Sequence, residues 1–540
     1  MATREIQATD AGGHDIVVVV DFGAQTSQLI ARRIRECQVY CELWPHTAPV
    51  EAFRRRSVKG VVLAGGPALA QALEAARGSG GAPAALAAFL ELGVPLLAVG
   101  PATAALVESL GGEVRRTRPA QSKAQLNVLS EVDLFKGIEG RGSAKSDPEG
   151  ESGALEAWMG GGDEIVALPK GFEAIARTLE GGVAALRSAE RRLYGVTFHP
   201  EVAQTPWGKE LLRNFAIEIS GCRPTWTMGN YLDEAVTEIR RKVGRERVVC
   251  ALSGGVDSSV AAALVYKAIG DQLTSIFVDH GLLRLGEAEQ VVETFRGRFG
   301  SGFVHVDARE RFLARLAGVR DPETKRKLIG EEFIRVFEEE AAKLGDVRFL
   351  VQGTVYPDVI ESGFGASATI KSHHNVGGLP EKMNLQLLEP LRFLFKDEVR
   401  ALGLELGLPE RIVWRQPFPG PGLAVRVIGE VSRERLEIER RADAIVVEEI
   451  ERAGLAGELF QYFAVLSETR TVGVTADQRT YGYMAAVRAV KGVDGMTAEW
   501  ARIPHEVLER IASRIMREVP EINRVVYDIS SKPPATIEWE

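Results

Sequence analysis

The most constraining feature of this 540-residue chain is a short turn near its middle, Ser-Gly-Gly-Val-Asp-Ser-Ser at residues 253–259. The apolar run at 248–252 before it has the length and composition of a buried strand, and the apolar run at 260–265 after it continues as a helix. Parallel α/β sheets are built from strands that end in such turns and lead directly into helices. The turn therefore predicts an α/β domain in this part of the chain.

The glycines of the turn also indicate what it binds. Without a Cβ atom, Gly254 and Gly255 let the backbone come close to a ligand. The first amides of a helix have no partner within it and carry the positive end of the helix dipole. These donors favour a phosphate or pyrophosphate; a purely structural corner is the alternative, which Asp257 and the serines disfavour. The predicted phosphate-binding residues are Ser253, Gly254, Gly255, Val256, Asp257, Ser258 and Ser259.

This turn resembles the SGGxDS signature of the PP-loop ATP pyrophosphatases, and it lacks the lysine of a Walker A sequence. The resemblance implies that ATP binds at these residues, that it is cleaved between its α and β phosphates, and that a substrate oxygen is adenylated. It also implies Mg²⁺ with the ATP, and Asp257 is predicted either to shape the loop or to hold the metal. No tightly bound organic cofactor is expected.

Composition limits what the rest of the chain can be. Its length is too great for one hydrophobic core, so two to four domains are expected. A net charge of -8 argues against a large nucleic-acid surface, and the four cysteines form no Cys-x-x-Cys pair. No stretch reaches the roughly 18 apolar residues that span a bilayer. We expect a soluble, cytoplasmic protein that binds neither nucleic acid nor membrane.

Alternating strand and helix patterns predict a first α/β domain near the start of the chain. Apolar strands are predicted at 16–20, 60–63 and 94–99, with an amphipathic helix at 25–35. This alternation predicts a doubly wound parallel sheet whose site lies at the carboxyl ends of its strands.

The first domain resembles the class I glutamine amidotransferases. The resemblance is carried by Asp-Phe-Gly-Ala-Gln at 21–25, Ala-Gly-Gly-Pro at 64–67 and Phe-His-Pro-Glu at 198–201. In that family a cysteine on a strand-to-helix elbow attacks the glutamine amide, a histidine acts as its base, and a glutamate orients the histidine.

The nucleophile of that family is missing here. His199 and Glu201 stand at the positions of the base and the orienting glutamate, whereas Gly100 stands at the position of the cysteine. Covalent catalysis needs an atom that forms the bond, and loss of a triad nucleophile lowers kcat by about 10⁶-fold in the serine-protease precedent. The sequence therefore predicts a folded domain without glutaminase activity.

Other departures support this prediction. Gly-Gly-Gly-Asp at 160–163 stands where the family usually has Ser-His-Gly-Asp. Cys37 and Cys41 lie beyond the first helix, where Cys41 is expected to pack or to begin the next strand. Thr103 could replace the nucleophile only with a base beside it, and the sequence shows no such base.

The pattern beyond the turn continues as alternating strands and helices. Strands are predicted at 273–278, 302–307 and 348–351, with a long helix at 321–344. From residue 423 the pattern predicts a strand, a helix, several strands, a second helix and a final strand, which together form an α+β unit.

This second half resembles the GMP synthetases at residues 358–362, 370–380 and 415–426 and, over the greatest length, at the final residues 528–540. The resemblance extends over essentially the whole chain. It implies two doubly wound, mainly parallel α/β domains followed by a smaller α+β dimerisation domain. The implied parts are a polar tail at 1–14, an amidotransferase-like domain at 15–221, a PP-loop domain at 222–417 and a C-terminal domain at 418–540.

The same resemblance assigns further site residues. Asp257 and Lys371 would be catalytic, with Lys371 on a lid that closes over the nucleotide. His373 and His374 are not expected to bind a metal, because adjacent side chains point in different directions. The implied XMP contacts are Arg426, Gln461, Lys532, Ile537 and Glu538.

The implied function is ATP-dependent amination of XMP to GMP through an adenyl-XMP intermediate, with AMP and pyrophosphate as the other products. Because Gly100 replaces the cysteine, nitrogen is expected from free ammonia or from a separate glutaminase. The alternatives are a glutamine-dependent enzyme with a non-obvious nucleophile, another PP-loop enzyme such as NAD synthetase or a tRNA-thiolating enzyme, and a non-catalytic nucleotide-binding regulator. A homodimer is expected through the C-terminal domain.

Overall fold

The computed structural model describes residues 13–24, 26–54, 56–66, 68–69, 84–116, 122–138, 154–160, 163–361, 385–475, 478–492, 495 and 497–540. The chain divides into two compact units, Met1–Tyr231 and Leu232–Glu540.

Within its described residues, the first unit is organised around a nine-stranded sheet, and β5 and β8 form a separate pair. The strands are β1 (Ile16–Asp21), β2 (Tyr40–Pro45), β3 (Val58–Ala64), β4 (Leu96–Val99), β5 (Glu113–Arg116), β6 (Ser122–Val128), β7 (Leu155–Met159), β8 (Asp163–Ala167), β9 (Glu173–Thr178), β10 (Val183–Ser188) and β11 (Leu193–Val196). The large sheet has the order β2-β1-β3-β4-β11-β10-β9-β6-β7. Neighbours from β2 to β11 are parallel, as the alternating pattern predicted. Neighbours from β11 to β7 are antiparallel, which the pattern did not indicate.

The position of strand β1, next to the edge strand β2, explains where this sheet can place a site. The Ile and Val residues of β1 are all buried, as expected for a strand covered on both faces. Because β2 and β3 flank β1 on opposite sides, the chain leaves the ends of β1 and β3 in opposite directions. A crevice lies at the carboxyl edge between the starts of these two loops. The two loops approach closely there: a Cβ atom on Gly66 would lie 2.5 Å from the amide nitrogen of Ala24.

The helices of the first unit are α1 (Ser27–Arg35), α2 (Val50–Arg54), α3 (Ala84–Leu90), α4 (Pro101–Ser109) and α5 (Gly208–Arg213), which continues as a π-helical segment at Asn214–Ile219. The amphipathic helix predicted at 25–35 is α1, with Ile30 and Ile34 fully buried. Arginines in its last turn complement the negative end of the helix dipole.

Two sheets organise the second unit. Its strands are β12 (Arg247–Leu252), β13 (Leu273–Asp279), β14 (Phe303–Asp307), β15 (Val347–Val351), β16 (Gln386–Leu388), β17 (Gln461–Thr475), β18 (Gln478–Lys491), β19 (Glu499–Trp500) and β20 (Ile522–Asp528). The first sheet is parallel throughout, with the order β14-β13-β12-β15-β16. In the second sheet β17, β18 and β19 are antiparallel neighbours, and β20 runs parallel to β18.

The order of the parallel sheet places the glycine turn at its crevice. The chain moves from β12 to β13 and β14 on one side, and then adds β15 and β16 on the other side of β12. Ligands of open α/β sheets bind where the strand order reverses in this way. Residues 253–259 follow β12, and residues 352–354 follow β15, so both segments lie at this reversal.

The helices of the second unit are α6 (Met228–Val243), α7 (Val256–Ile269), α8 (Glu287–Phe299), α9 (Arg309–Leu316), α10 (Pro322–Ala342), α11 (Tyr356–Glu361), α12 (Lys396–Glu405), α13 (Glu410–Val413), α14 (Arg433–Arg452) and α15 (His505–Glu518). The long helix predicted at 321–344 is α10. Asp321 caps it by accepting a hydrogen bond from the amide of Thr324 at 2.7 Å, and proline occupies the favoured first position. Val336 and Phe337 on this helix are buried, as predicted.

The prediction of a strand from residue 423 was wrong. Gly422–Val425 forms a 3₁₀ turn whose Leu423, Ala424 and Val425 are fully buried. Gly422 has a φ of +62°, and a Cβ atom there would lie 2.3 Å from the carbonyl oxygen of Leu282. The apolar run is therefore buried by a tight turn packed against a neighbouring loop, and its composition alone does not distinguish this from a strand.

Helices α14 and α15 pack on the sheet that contains β17 and β18. Ile445 on α14, Val487 on β18 and Ile511 on α15 belong to one buried cluster. This α+β unit agrees with the predicted class. No helix in the described part of the chain has the length and apolar composition that crossing a membrane would require.

Replacing Ile511 by alanine tests this core. Ile511 has no exposed surface, and removing its buried methylene groups should cost about 2–5 kcal/mol, because a cavity remains. We expect a lower thermal midpoint for the unfolding of the second unit. The matched control is Met516→Ala on the same helix, whose side chain is 45% exposed and whose truncation should change stability by less than about 0.5 kcal/mol. Equal destabilisation by the two substitutions would contradict the packing described.

Candidate active sites

The glycine turn after β12 has the backbone that a phosphate-binding loop requires. Gly254 has a φ of +77°, and a Cβ atom on it would lie 2.9 Å from Cγ2 of Val291, so glycine is needed for both conformation and space. Gly255 is the N-cap of the 14-residue helix α7, whose first amides point into the crevice.

Hydroxyl groups surround this helix start. The Oγ atoms of Ser253 and Ser258 lie 2.9 Å apart, and Ser258 Oγ donates to the carbonyl of Gly255 at 3.1 Å. Ser259 is fully buried, and its Oγ has no hydrogen-bond partner within the described residues. A serine hydroxyl has one hydrogen to donate, so Ser258 could donate to an anion in the turn only by giving up its bond to Gly255.

Asp257 on the first turn of α7 forms an ion pair with Lys396 at the start of α12. The pair uses one carboxylate oxygen of Asp257. The other, Oδ1, is buried and has no hydrogen-bond partner in the described structure. An oxygen with unused acceptor capacity suits Mg²⁺, which binds through one or two carboxylates together with phosphates and water. The described residues contain no cluster of three or more side chains that could hold a metal ion.

The loop after β15 forms the opposite wall of the crevice. A Cβ atom on Gly353 would lie 3.1 Å from the carbonyl carbon of Asp257 and 3.2 Å from the amide nitrogen of Ser258. Thr354 donates to Glu389 at 2.7 Å. This close packing fixes the second loop against the phosphate-binding turn.

Arg415 connects the turn to the C-terminal part of the unit. Its Nη1 donates to the carbonyl of Gly254 at 2.7 Å, and it forms an ion pair with Glu287. Burial, and then the charge of Arg284, lower the pKa of Arg415 to about 9. A cation whose charge is disfavoured by burial is stabilised by an anionic ligand nearby.

Three guanidinium groups lie around the ring of Phe418. The distances from their central carbons to the ring centroid are 4.5 Å for Arg284, 5.7 Å for Arg415 and 5.1 Å for Arg426. Arg284 also lies 3.3 Å from Asp443. Burial lowers the pKa of Arg284 to about 10, although Asp443 acts in the opposite direction. The cluster extends from the phosphate-binding turn to Arg426.

Arg426 binds the carboxyl-terminal segment of the chain. It has no exposed surface, stacks on Phe463 at 3.8 Å, and donates two hydrogen bonds to Glu538 at 3.1 and 2.9 Å. Burial lowers the pKa of Arg426, but Glu538 and then Asp443 outweigh burial, so the net pKa is raised.

The remaining predicted XMP contacts lie in the same region. Lys532 Nζ donates to the carbonyl of Gly495 at 2.7 Å, and a Cβ atom on Gly495 would lie 3.7 Å from Cδ1 of Ile537. Gln461 donates to the carbonyl of Pro417 at 2.8 Å, next to the ring of Phe418.

The tail itself is docked against the sheet. The fully buried Arg488 donates to the carbonyls of Ser530, Thr536 and Ile537, and Trp539 donates to Asp528. The structure thus brings the tail residues Lys532, Ile537 and Glu538 to the region of Arg426 and Gln461.

The first unit has a second constellation at the carboxyl edge of its sheet. His199 Nδ1 lies 2.7 Å from Glu201 Oε1, and Glu201 is fully buried. Arg33 donates to the carbonyl of Glu201 at 3.1 Å, and Thr205 donates to the carbonyl of His199 at 2.7 Å. Burial lowers the pKa of His199, but the hydrogen bond and charge of Glu201 outweigh it, so the pKa lies above the usual 6.5.

The elbow beside this dyad is formed by Gly100, which joins β4 to α4 with a φ of +59°. A Cβ atom there would lie 3.3 Å from Cε1 and 3.5 Å from Nε2 of His199. A Cβ atom on Gly160 would lie 2.2 Å from Nε2 of the same ring. The imidazole therefore packs against two glycines and faces no nucleophilic side chain at position 100.

Thr103 and the four cysteines, which also carry nucleophilic groups, are all buried. Thr103 is fully buried and donates to the carbonyls of Ala98 and Val196. All four cysteines are buried, and burial raises the pKa of each thiol, to about 11 for Cys37 and about 12 for both Cys222 and Cys250. Cys41 lies inside β2, where the sequence suggested that it packs or begins a strand.

Sequence reasoning missed three residues of the second unit: Lys396, Arg284 and Arg415. Lys396 is 139 positions from its partner Asp257, and no local pattern links the two. Arg415 lies at the start of a segment that the resemblance did identify, but nothing in its spacing indicates a bond to Gly254. Lys371 and the rest of the predicted lid lie outside the described residues.

Comparison with known proteins finds family matches in three parts of the chain. Residues 18–219 match the family described as glutamine amidotransferase class-I, residues 228–283 match NAD synthase, and residues 448–539 match the GMP synthase C terminal domain. A glutamine amidotransferase structure from Thermotoga maritima aligns with 38% of this chain and 99% of its own at 14% identity, with a TM-score of 0.28.

Two relatives align along nearly their whole length. The GMP synthase (glutamine-hydrolyzing) of Symbiobacterium thermophilum is 56% identical over 528 residues, which are 97% of this chain and 99% of the relative. The GMP synthase (glutamine-hydrolyzing) of Caldicellulosiruptor saccharolyticus is 54% identical over 529 residues, which are 98% and 100% of the two chains. With this identity over nearly its full length, the chain belongs to the GMP synthase family.

Proposed function

We propose that this protein aminates XMP to GMP at the expense of ATP, with AMP and pyrophosphate as the other products. The observation that carries the proposal is the continuous path from the phosphate-binding turn to the tail. Arg415 contacts Gly254 of the turn, Phe418 lies between Arg415 and Arg426, and Arg426 binds Glu538. A triphosphate at one end and a purine nucleotide at the other would thus be held in one site.

In the first step, the C2 oxygen of XMP attacks the α-phosphorus of ATP, and the bond to pyrophosphate breaks. The amides of residues 255–258 and the hydroxyls of Ser253 and Ser258 hold the β- and γ-phosphates as the departing diphosphate. Lys396 neutralises charge that develops on it. In the second step, ammonia attacks C2, AMP leaves with the former C2 oxygen, and a proton is released.

Asp257 is the residue we propose for Mg²⁺, because its Oδ1 is a buried acceptor without a partner. When bound, Mg²⁺ would offset the negative charge that accumulates on the phosphate oxygens. Lys371 is proposed to contact phosphate from the lid.

Glu538, Lys532, Ile537 and Gln461 are proposed to form the XMP pocket. Arg426 is fully buried and already bidentate to Glu538, so we propose that it fixes this carboxylate, whereas the resemblance implied that Arg426 contacts XMP itself.

We further propose that nitrogen enters as free ammonia or from a separate glutaminase. The proposal rests on Gly100, which leaves the His199–Glu201 dyad without a nucleophile, and on the burial of the four cysteines, which raises the pKa of their thiols. The two relatives named above are glutamine-hydrolyzing, so this chain would differ from them in one half-reaction only. The domain boundaries 15–221, 222–417 and 418–540, a homodimer through the last domain, and a cytoplasmic location complete the proposal.

The nitrogen source can be tested with the purified protein. With ATP, Mg²⁺ and XMP, ammonium should support GMP formation, whereas glutamine should support less than about one thousandth of that rate, because the thiol that forms the covalent intermediate is missing. GMP and glutamate are both measured by chromatography.

Glutamate release that accompanies GMP formation, and that His199→Ala abolishes, would contradict the loss of glutaminase activity. Binding of ATP and XMP without release of AMP under any nitrogen source would instead favour a non-catalytic regulator.

Replacing Lys396 by methionine tests the phosphate site. The substitution removes a cation next to the departing diphosphate and leaves Asp257 without its ion-pair partner, so kcat with ammonium should fall by about 10²–10³-fold. The rate is followed by release of AMP and pyrophosphate.

Lys267→Met is the matched control, because this exposed lysine lies near the far end of α7. Its rate should equal that of the unchanged protein. A Lys396→Met enzyme of unchanged kcat would show that the cation has no part in phosphate transfer.

A further inference from the structure

Lys325 on α10 is a charged residue with no exposed surface. An ammonium group has three N–H donors, and all three are used here. Nζ donates to the carbonyl of Ala424 at 3.1 Å, to the carbonyl of Val427 at 2.9 Å, and to the side-chain carboxylate of Glu540. Burial lowers the pKa of Lys325, and Glu540 acts in the opposite direction.

These three acceptors come from the two segments that form the Arg426–Glu538 pair. Ala424 and Val427 bracket Arg426 in the chain, and Glu540 follows Glu538 by two residues. The amide of Gly429 also donates to Glu540, at 2.9 Å, so the carboxylate of Glu540 is held from both sides. One buried ammonium therefore joins α10, the turn that carries Arg426, and the tail that carries Glu538.

Stability alone does not explain such a group. Removing an ammonium from water costs several kcal/mol, and well-packed apolar residues often replace buried ion pairs without loss of stability. The three hydrogen bonds of Lys325 hold the backbone at Ala424 and Val427 in a fixed position relative to the side chain of Glu540. None of its partners belongs to the phosphate-binding turn.

We propose that Lys325 and Glu540 form a buried latch that positions the tail for XMP, and that Lys325 is a positioning residue of the reaction. The inference rests on the proposed function. The latch keeps Glu538 on Arg426 and, through the docked tail, keeps Ile537 and Lys532 in place beside Gly495. Loss of the latch should therefore weaken the binding of XMP and leave the binding of ATP unchanged.

The test compares Lys325→Met and Glu540→Gln with the unchanged full-length protein. Glu540→Gln keeps the shape of the side chain and removes only its charge. We expect each substitution to raise KM for XMP by roughly tenfold to 100-fold, because each removes one member of a buried, hydrogen-bonded ion pair. KM for ATP should change by less than about twofold. The double variant should resemble the single variants, because both remove the same contact.

Lys327→Met is the matched control, since Lys327 lies two residues away on α10 and is exposed. It should leave both KM values unchanged. Thermal midpoints of all variants show whether Lys325→Met folds; if it does not, Glu540→Gln decides the outcome.

Three results would overturn the latch. KM for XMP within twofold of normal in Glu540→Gln would show that the contact has no part in binding. Equal increases in KM for XMP and for ATP would show a general structural role. Multiplicative effects in the double variant would show that the two residues act separately. Failure of the unchanged protein to form GMP would instead reject the proposed function, and the latch with it.

Discussion

The structure of the second unit depends on the burial of one guanidinium group, that of Arg426. A charge without exposed surface is tolerated only when hydrogen bonds and opposite charges replace the lost water. Glu538 supplies two of these bonds, and the rings of Phe418 and Phe463 cover the faces of the group. Burial raises the pKa of the nearby Glu439 well above its usual range, with Asp443 adding to the effect, which favours its neutral form. The tail must therefore dock for this core to be satisfied, and docking brings the proposed XMP residues to the cluster that contacts the phosphate-binding turn.

Both units place a glycine with positive φ at the start of a helix, but the proposed consequences for catalysis differ. In each, parallel strands deliver loops to the carboxyl edge of a sheet, and a glycine with positive φ starts or precedes a helix at that edge. In the second unit that glycine is Gly254, and in the proposed reaction it would give a phosphate access to the helix amides. In the first unit Gly100 occupies the elbow itself, and the dyad of His199 and Glu201 is left with its geometry intact and no bond-forming atom. The proposed loss of glutaminase activity would thus follow from the absence of one side chain, while the surrounding sheet retains its fold.

Local patterns predicted much of this fold, because they depend on neighbours in the sequence. The apolar runs became β1, β12 and β13 nearly residue for residue, and the glycine turn lies where parallel-sheet topology requires it. Contacts between distant segments left no such signal. The pair of Asp257 and Lys396, the junction at Lys325, and the antiparallel half of the first sheet all depend on tertiary packing. The sequence predicted a strand at Gly422–Val425 because the segment is apolar. Its residues are apolar because they are buried in a 3₁₀ turn, and not because they belong to a sheet.

The central claim is that the turn after β12 holds a departing diphosphate while an oxygen of XMP attacks the α-phosphorus. XMP labelled with ¹⁸O at C2 tests this directly, with ATP, Mg²⁺ and ammonium as the other reactants. If the claim is correct, mass spectrometry will find the label in the phosphate of AMP and unlabelled pyrophosphate. Label in pyrophosphate or water, or formation of ADP in place of AMP, would contradict it.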